Sequence, residues 1–262
     1  MAGNKRRAIV LQTRDRQFLR ELSILRVADR EQAKIVAGFH STTRVNSRLL
    51  ALTRAGLLRR FFLGTSGGGQ KALYALSREG ARIVDVPFRS PRRRRDELLV
   101  VDPFVVHQLS INEIYCTLKY PPLSDLNIRF VRWLSFFEPL HQGLSLIPDG
   151  YVEMVHPGGT LSAFLEVDLG SEGRKVWGEK VKNYLKFALS GHFETQFGQQ
   201  RFRVLVIVNT ERRLQSIRAA VAEITEKIFW FATIESIRHN GFWSAIWLRP
   251  TGDERQSLVE LP

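Results

Sequence analysis

Apolar side chains recur with the period of a helix through the first part of the chain. Between residues 13 and 27 that period places Phe18, Leu22 and Leu25 on one face, with arginines elsewhere, and so predicts an amphipathic helix. Asp29, with a glutamine three residues later, has the form of a capping box. The pattern therefore predicts a second, shorter helix that ends near residue 37.

A third helix and a hairpin follow in the pattern. Ser41 can cap a helix in which Val45, Leu49 and Leu52 face inward and short polar and arginine side chains face outward. Two β-type runs then flank a glycine-rich loop at residues 64–70. Three helices and a glycine-tipped hairpin predict a winged helix-turn-helix.

Charge gives this module a candidate function. Residues 1–100 contain 22 Lys and Arg against 8 Asp and Glu, whereas the remainder contains 17 against 18. A basic module of this kind is expected to neutralise phosphates, and the second helix of a helix-turn-helix enters the major groove of double-stranded DNA. The alternative is a winged helix that makes only protein contacts, for example in a homodimer. The candidate DNA-binding residues are Thr43, Arg44, Asn46, Ser47 and Arg48 on the third helix, with Arg59, Arg60 and Lys71 on or beside the wing.

Residues 87–97 are basic and bounded by prolines, which is typical of a linker. Such a segment either lies along a DNA backbone or is a solvated tether. The predicted domains are therefore residues 1–86, the linker 87–97, and a second domain over residues 98–262.

The second half alternates helix-like and strand-like runs. A helix is predicted from Asp102 to about Leu118. With it, the predicted order of elements along the chain is α-β-β-β-α-β-α-β-β. This order is typical of an α/β sheet covered by helices. The runs are at about 128–137, 146–154, 161–167, 174–189 (helical), 202–208, 214–228 (helical), 229–234 and 242–248.

Acidic side chains stand at the ends of two of these strands. Asp149 belongs to the short segment Ile147-Pro148-Asp149-Gly150 at one strand run, and Glu166 and Asp168 end the next. Carboxylates gathered at one sheet edge suit Mg²⁺ or Mn²⁺, and such sites promote phosphodiester hydrolysis. The alternative is that Asp149 with its following glycine forms a hairpin turn while the other two acids cap a helix.

This order of elements, with Pro-Asp at one strand and Glu-x-Asp at the next, resembles the PD-(D/E)XK nuclease-like fold. Over roughly residues 10–250 the chain also resembles the replication-relaxation family of plasmid and mobile-element proteins. The features that carry this resemblance are the winged helix, Ile147-Pro148-Asp149, Phe164 to Gly170, and Lys182-x-Tyr184. The resemblance implies a bacterial protein with a role in plasmid replication and DNA relaxation, and with a replication or mobilisation protein as a further partner. The single cysteine and the lack of a signal-peptide core predict a cytoplasmic location.

The chain departs from the nuclease pattern at one position. The pattern has a lysine two residues after the acid, and this chain has Asp168 there. Lys180 lies about 60° from the predicted buried stripe of the following helix, so it is the candidate replacement, whereas Lys182 points away. The alternative is that the aliphatic stem of Lys180 covers the apolar face.

Two functions remain open from the sequence. In the first, the winged helix brings a Mg²⁺- or Mn²⁺-dependent nuclease domain to DNA, with Asp149, Glu166, Asp168 and Lys180 as catalytic residues and the three acids as metal ligands. In the second, the protein is a non-catalytic DNA-binding regulator or accessory factor that uses a degenerate nuclease fold as a scaffold. A single cysteine, Cys116, excludes an intrachain disulfide, and the chain has no apolar run of membrane-spanning length.

Overall fold

The computed structural model describes residues 9–64, 68–88, 98–99, 103–121 and 127–259. Within these ranges the chain forms two compact units that divide between Tyr120 and Pro121. Residues 65–67 of the predicted wing loop and residues 89–97 of the predicted linker lie outside the described residues.

The first unit combines helices with a small mixed sheet. In chain order its elements are α1 (Thr13–Leu25), β1 (Ala28–Asp29), α2 (Arg30–Val36), α3 (Thr42–Arg54), β2 (Leu58–Gly64), β3 (Gln70–Leu76), α4 (Arg78–Val84), β4 (Leu98–Leu99) and α5 (Pro103–Lys119). The strand order is β1-β3-β2-β4, in which β2 and β3 pair antiparallel and β4 joins β2 in parallel.

Local side-chain caps set the helix starts of this unit. The Asp29 carboxylate accepts the backbone N–H of Gln32 at 2.9 Å, and the Gln32 side chain accepts the Asp29 N–H at 3.4 Å. The Ser41 hydroxyl accepts the N–H of Arg44 at 3.4 Å at the start of α3. The capping box and the Ser41 cap predicted from the sequence are thus confirmed, because both depend only on residues three positions apart.

Helix α5 belongs to the first unit. Asn112 donates to the carbonyls of Leu25 at 3.1 Å and Val27 at 2.6 Å, and the Lys119 ammonium lies 2.6 Å from a Glu21 oxygen. The domain boundary predicted at residue 98 differs from this arrangement, since both β4 and α5 join the N-terminal unit. Periodicity identifies the buried face of a helix but does not identify the core on which that face packs.

The second unit contains a five-stranded mixed sheet of order β5-β6-β7-β8-β9. Strands β5 to β7 pair antiparallel, and β7 to β9 pair in parallel, which agrees with the predicted α/β class. The elements are β5 (Arg129–Leu134), β6 (Gly150–His156), β7 (Gly159–Asp168), α6 (Arg174–Leu189), α7 (His192–Phe197), β8 (Arg203–Val208), α8 (Glu211–Ala222), β9 (Phe229–Thr233) and α9 (Ile234–Asn240).

Two expected elements differ from the structure at the C-terminal end. The helix expected at 214–228 is α8, which begins at Glu211 and ends at Ala222. The strand expected at 242–248 is replaced by a loop that contacts the sheet through a single bridge between Phe231 and Leu248. Short apolar runs do not distinguish a strand from a buried loop, and here the Trp247 indole bonds the Phe242 carbonyl at 2.8 Å instead of continuing a ladder.

Aromatic packing holds α6 against β7. The Phe164 ring lies at the centre of this packing, 5.0 Å from Phe202, 5.7 Å from Tyr184 and 6.0 Å from Phe187 between ring centroids. Each such pair contributes about 1 kcal/mol beyond area burial. This packing fixes the face of β7 that also carries Glu166 and Asp168. Among the described helices, none is long and apolar enough to cross a membrane.

Candidate functional site

Strand β7 presents two acids to α6. Side chains alternate along a strand, so Phe164, Glu166 and Asp168 share one face. Glu166 and Asp168 are only 1% and 2% exposed. Two carboxylates at this depth require partners, and the structure supplies a different set for each.

Glu166 is held by two side chains of α6. The Tyr184 hydroxyl donates to Oε1 at 2.6 Å, and the Lys180 ammonium donates to Oε2 at 2.7 Å. The same ammonium lies 2.7 Å from Glu172 Oε2. Lys180 therefore bridges two carboxylates, while Lys182 is exposed and pairs with Glu179.

Burial and neighbouring charges shift the pKa values of both Glu166 and Lys180. Burial raises the pKa of Glu166 to about 7, although Lys180 opposes the rise and the negative charge of Asp149 adds to it. Burial acts to lower the pKa of Lys180, but the attraction of Glu166 and Glu172 outweighs it and raises that pKa above its ordinary value. A carboxyl that titrates near neutral pH beside a fixed ammonium is an arrangement suited to proton transfer or to charge neutralisation.

Asp168 has a second and more rigid set of partners. The Arg213 guanidinium donates to Oδ1 at 2.9 Å and to Oδ2 at 2.7 Å, and the Trp177 indole donates to Oδ2 at 2.8 Å. The Gly170 N–H donates to Oδ1 at 2.6 Å. Burial acts to raise the pKa of Asp168, but these donors outweigh it and hold that pKa below its ordinary value. Four donors use the acceptor capacity of both oxygens.

Asp149 lies where β6 begins, beside the end of β7. Its backbone N–H donates to the Leu165 carbonyl at 3.1 Å, and its carboxylate accepts the Val167 N–H at 2.7 Å. The structure therefore brings Asp149, Glu166 and Lys180 to one edge of the sheet and directs Asp168 to Arg213. Within the described ranges, no group of three or more His, Cys, Asp and Glu side chains is arranged to hold a metal ion.

Sequence reasoning missed Glu172 and Arg213. Arg213 falls outside a helix predicted to begin at residue 214, whereas α8 begins two residues before Arg213 and Thr210 caps it. A cap of Ser, Thr, Asp or Asn before a periodic run is the signal that locates such a start. For Glu172 the sequence offers no comparable signal, because its contact with Lys180 depends on how the loop after β7 returns to α6.

Helix α3 exposes the polar face predicted for it. Thr43, Arg44, Asn46 and Ser47 are exposed, and Val45 between them is buried. Helix α3 carries no acid in its first turn, so the positive end of its dipole is not offset there.

Arg48 differs from its exposed neighbours on α3. Its guanidinium binds both oxygens of Asp15, with Nε 2.8 Å from Oδ1, and donates to the Val10 carbonyl at 2.6 Å. Asp15 is 1% exposed, and its hydrogen bond raises the pKa of Arg48. Arg48 is thus engaged within the first unit.

The hairpin residues occupy intermediate positions. Arg59 and Arg60 are half-exposed, and each guanidinium lies over the phenylalanine two positions further on, 5.0 Å from the ring centroid. The Lys71 ammonium, in a side chain that is 49% exposed, lies 2.9 Å from an Asp29 carboxylate oxygen.

Comparison with known proteins identifies the family. Comparison with curated proteins and with solved structures gave no match. The sequence model of the replication-relaxation family matches residues 19–200, which is more than half of the chain and includes α3, Asp149, Glu166 and Lys180. The chain therefore belongs to the replication-relaxation family.

Proposed function

We propose that this protein binds double-stranded DNA, and that its first unit acts as a winged helix with α3 as the recognition helix. The observation that carries the proposal is the exposed face of Thr43, Arg44, Asn46 and Ser47 on a helix anchored by buried apolar side chains. Short polar and arginine side chains on such a helix reach base edges and phosphates in the major groove.

Charge supports this assignment. Residues 1–120 contain 23 Lys and Arg against 10 Asp and Glu. DNA binding by such a unit releases condensed counterions, and each phosphate contact contributes about 0.9 to the slope of log affinity against log salt. Family membership, which links the chain to replication, is consistent with a DNA ligand.

The test measures affinity for a labelled duplex by fluorescence anisotropy across salt concentrations. Arg44→Ala is expected to weaken binding and to reduce the salt slope by about 1. Arg82→Ala is the matched control, because it removes the same charge from an exposed side chain of the same unit that pairs with Glu79. Equal losses in the two variants would refute a recognition role for α3.

A second candidate function is metal-dependent nicking by a PD-(D/E)XK-like second unit. It is favoured by the 2.7 Å contact of Lys180 with Glu166 and by the position of Asp149 beside them. Asp149 and Glu166 supply the hard oxygen donors that Mg²⁺ or Mn²⁺ prefers. Each Glu166 oxygen accepts one hydrogen bond and keeps a further lone pair, whereas each Asp168 oxygen already accepts two. A bound metal would lower the pKa of an attacking water and stabilise charge on the phosphate.

The residues of the chain have distinct roles in this candidate. Glu166 and Asp149 would hold the cation, and Lys180 would supply the positive charge that the PD-(D/E)XK pattern places two residues after the acid. The Asp168–Arg213 pair joins the end of β7 to α8. In the non-catalytic alternative, Lys180 only neutralises the buried Glu166 carboxylate inside a scaffold.

A plasmid relaxation assay separates these two functions. The wild-type protein is incubated with supercoiled plasmid and Mg²⁺ or Mn²⁺, beside Glu166→Gln, Lys180→Ala and the exposed control Lys182→Ala. Nicking that is lost in the first two variants and kept in the third supports the nuclease. Intact supercoils together with a retained band shift support the non-catalytic regulator.

A further inference from the structure

The second unit contains a cavity remote from the acids of β7. Its volume is about 550 Å³, within the range of sites for small organic ligands. Its lining includes the basic side chains His156, Arg201, Arg203 and Arg249 and the aromatic side chains Phe193, Phe202 and Trp230.

The strand register separates this cavity from the acids. Arg203 pairs with Ala163 at the start of β8, whereas Glu166 pairs with Val206, three residues along the strand. At about 3.3 Å per residue, the two positions are roughly 10 Å apart along the sheet. The cavity is therefore not part of the site formed by Glu166 and Lys180.

Two arginines of the cavity share one aromatic platform. The Arg203 and Arg249 guanidinium carbons lie 4.7 Å and 4.6 Å from the ring centroid of Trp230. Arg203 also donates to the Leu258 carbonyl, and Arg249 donates to the carbonyls of Phe229 at 3.2 Å and Glu226 at 2.7 Å. These neutral partners orient the two guanidinium groups without cancelling their charge.

The positive charge here has no acidic counterpart. Of the described residues that line the cavity, none is Asp or Glu. Elsewhere in the second unit arginines pair with acids, as Arg132 does with Glu153 and Arg213 with Asp168. In the part of the chain that the structure describes, neither Arg203 nor Arg249 makes such a pair.

Electrostatics at the cavity reflect this imbalance. Burial and the charge of Arg249 lower the pKa of Arg203, and burial lowers the pKa of Arg249. Burial and the charge of Arg203 also lower the pKa of His156. A bound anion would offset the repulsion among these basic groups.

We propose that this cavity binds a phosphate-bearing ligand of nucleotide size, with its phosphate held by Arg203 and Arg249. Guanidinium groups match phosphate oxygens bidentately, and the aromatic and aliphatic wall of the cavity suits an apolar or aromatic moiety such as a base. The phosphate has two sources with the same chemistry, a free nucleotide or the 5′ end of a DNA strand. The proposal does not rest on DNA binding by α3, since every lining residue belongs to the second unit.

The test is isothermal titration calorimetry on the full chain with two probes. One probe is deoxyadenosine 5′-monophosphate, and the other is a hexathymidylate with a 5′-phosphate, compared with the same oligonucleotide that ends in a 5′-hydroxyl. Ala188→Glu adds a carboxylate to an exposed position that lines the cavity, and it removes no hydrogen bond of the two arginines. Leu189→Glu is the matched control, because it adds the same charge at the next position, which is 87% exposed and outside the lining.

The expected result is one bound phosphate per chain, with affinity about tenfold weaker in Ala188→Glu and unchanged in Leu189→Glu, because like charges repel across a short distance. Binding of the nucleotide alone identifies a free ligand. A preference for the 5′-phosphorylated over the 5′-hydroxyl strand identifies a strand end. The proposal is overturned if neither probe binds at millimolar concentration, or if the two glutamate variants bind as tightly as the wild type.

Discussion

The two units of this protein distribute charge in opposite ways. The first unit has 23 Lys and Arg against 10 Asp and Glu, and its third helix exposes a polar face with no acid in the first turn. The second unit has 16 Lys and Arg against 16 Asp and Glu. Its most buried carboxylates, Glu166 and Asp168, each form an ion pair of 2.7 Å with a lysine or arginine side chain. An excess of exposed positive charge indicates a surface that binds an anionic ligand. Buried charges that are matched in ion pairs indicate side chains that hold the fold together.

Helix α3 carries, within five residues, one arginine exposed to solvent and one arginine paired with a buried acid. Arg44 is exposed, while Arg48 binds an acid that is 1% exposed. Substitution of Arg44 is expected to change DNA affinity, and substitution of Arg48 is expected to change folding.

The largest effect is expected at the Asp168–Arg213 pair. Arg213→Ala leaves a buried carboxylate without its bidentate partner, which costs about 4 kcal/mol of unfolding free energy. Thermal unfolding followed by circular dichroism is expected to show a Tm lower by roughly 10 °C. The control Arg212→Ala removes the same charge at the exposed neighbouring position and is expected to leave Tm nearly unchanged. Similar Tm values for both variants would contradict a structural role for the pair.

Arg48→Ala comes next in magnitude. It removes the partner of Asp15, and a loss of about 3 kcal/mol in unfolding free energy is expected in a urea titration. Arg44→Ala, on the same helix, is expected to change that free energy by less than about 0.5 kcal/mol. An Arg48→Ala protein of unchanged stability and weakened DNA binding would instead make Arg48 a DNA contact.

Acid pH is expected to weaken the second unit through Asp168. Because its folded-state pKa lies below its ordinary value of 3.8, its contribution to stability is present above about pH 4 and is lost as pH falls through the folded-state pKa. Asp168→Asn is therefore expected to be less stable than the wild type at pH 7, with the difference shrinking below pH 3.8. Chemical denaturation at several pH values measures this, with Asp253→Asn as an exposed, arginine-paired control. A difference that stays constant down to pH 2 would contradict the prediction.

The smallest effect is expected at Lys182. Its ion pair with Glu179 lies on the surface, so Lys182→Ala is expected to change unfolding free energy by about 0.3 kcal/mol, within the scatter of a urea titration. Lys180→Ala leaves Glu166 and Glu172 without their shared cation and is expected to cost several times more. Equal changes at the two lysines would mean that the Glu166–Lys180 contact contributes no stability.

Local rules account for the parts of the fold and the candidate site that follow from the chain alone. The caps at Asp29 and Ser41, the buried stripe of α3 and the segregation of charge each depend on residues a few positions apart, so periodicity and capping chemistry are enough to predict them. The position of Lys180 beside the stripe of α6 likewise follows from helix geometry.

Long-range packing decided the rest. The chain alone did not reveal that α5 joins the first unit, that Asp168 binds Arg213, or that Arg203 and Arg249 both lie against the Trp230 ring. These contacts join residues 19 to 98 positions apart, and no local pattern encodes which of several buried faces or charges will meet. Periodicity and capping depend on near neighbours along one element, whereas the partners of a buried charge depend on how separate elements fill a common core.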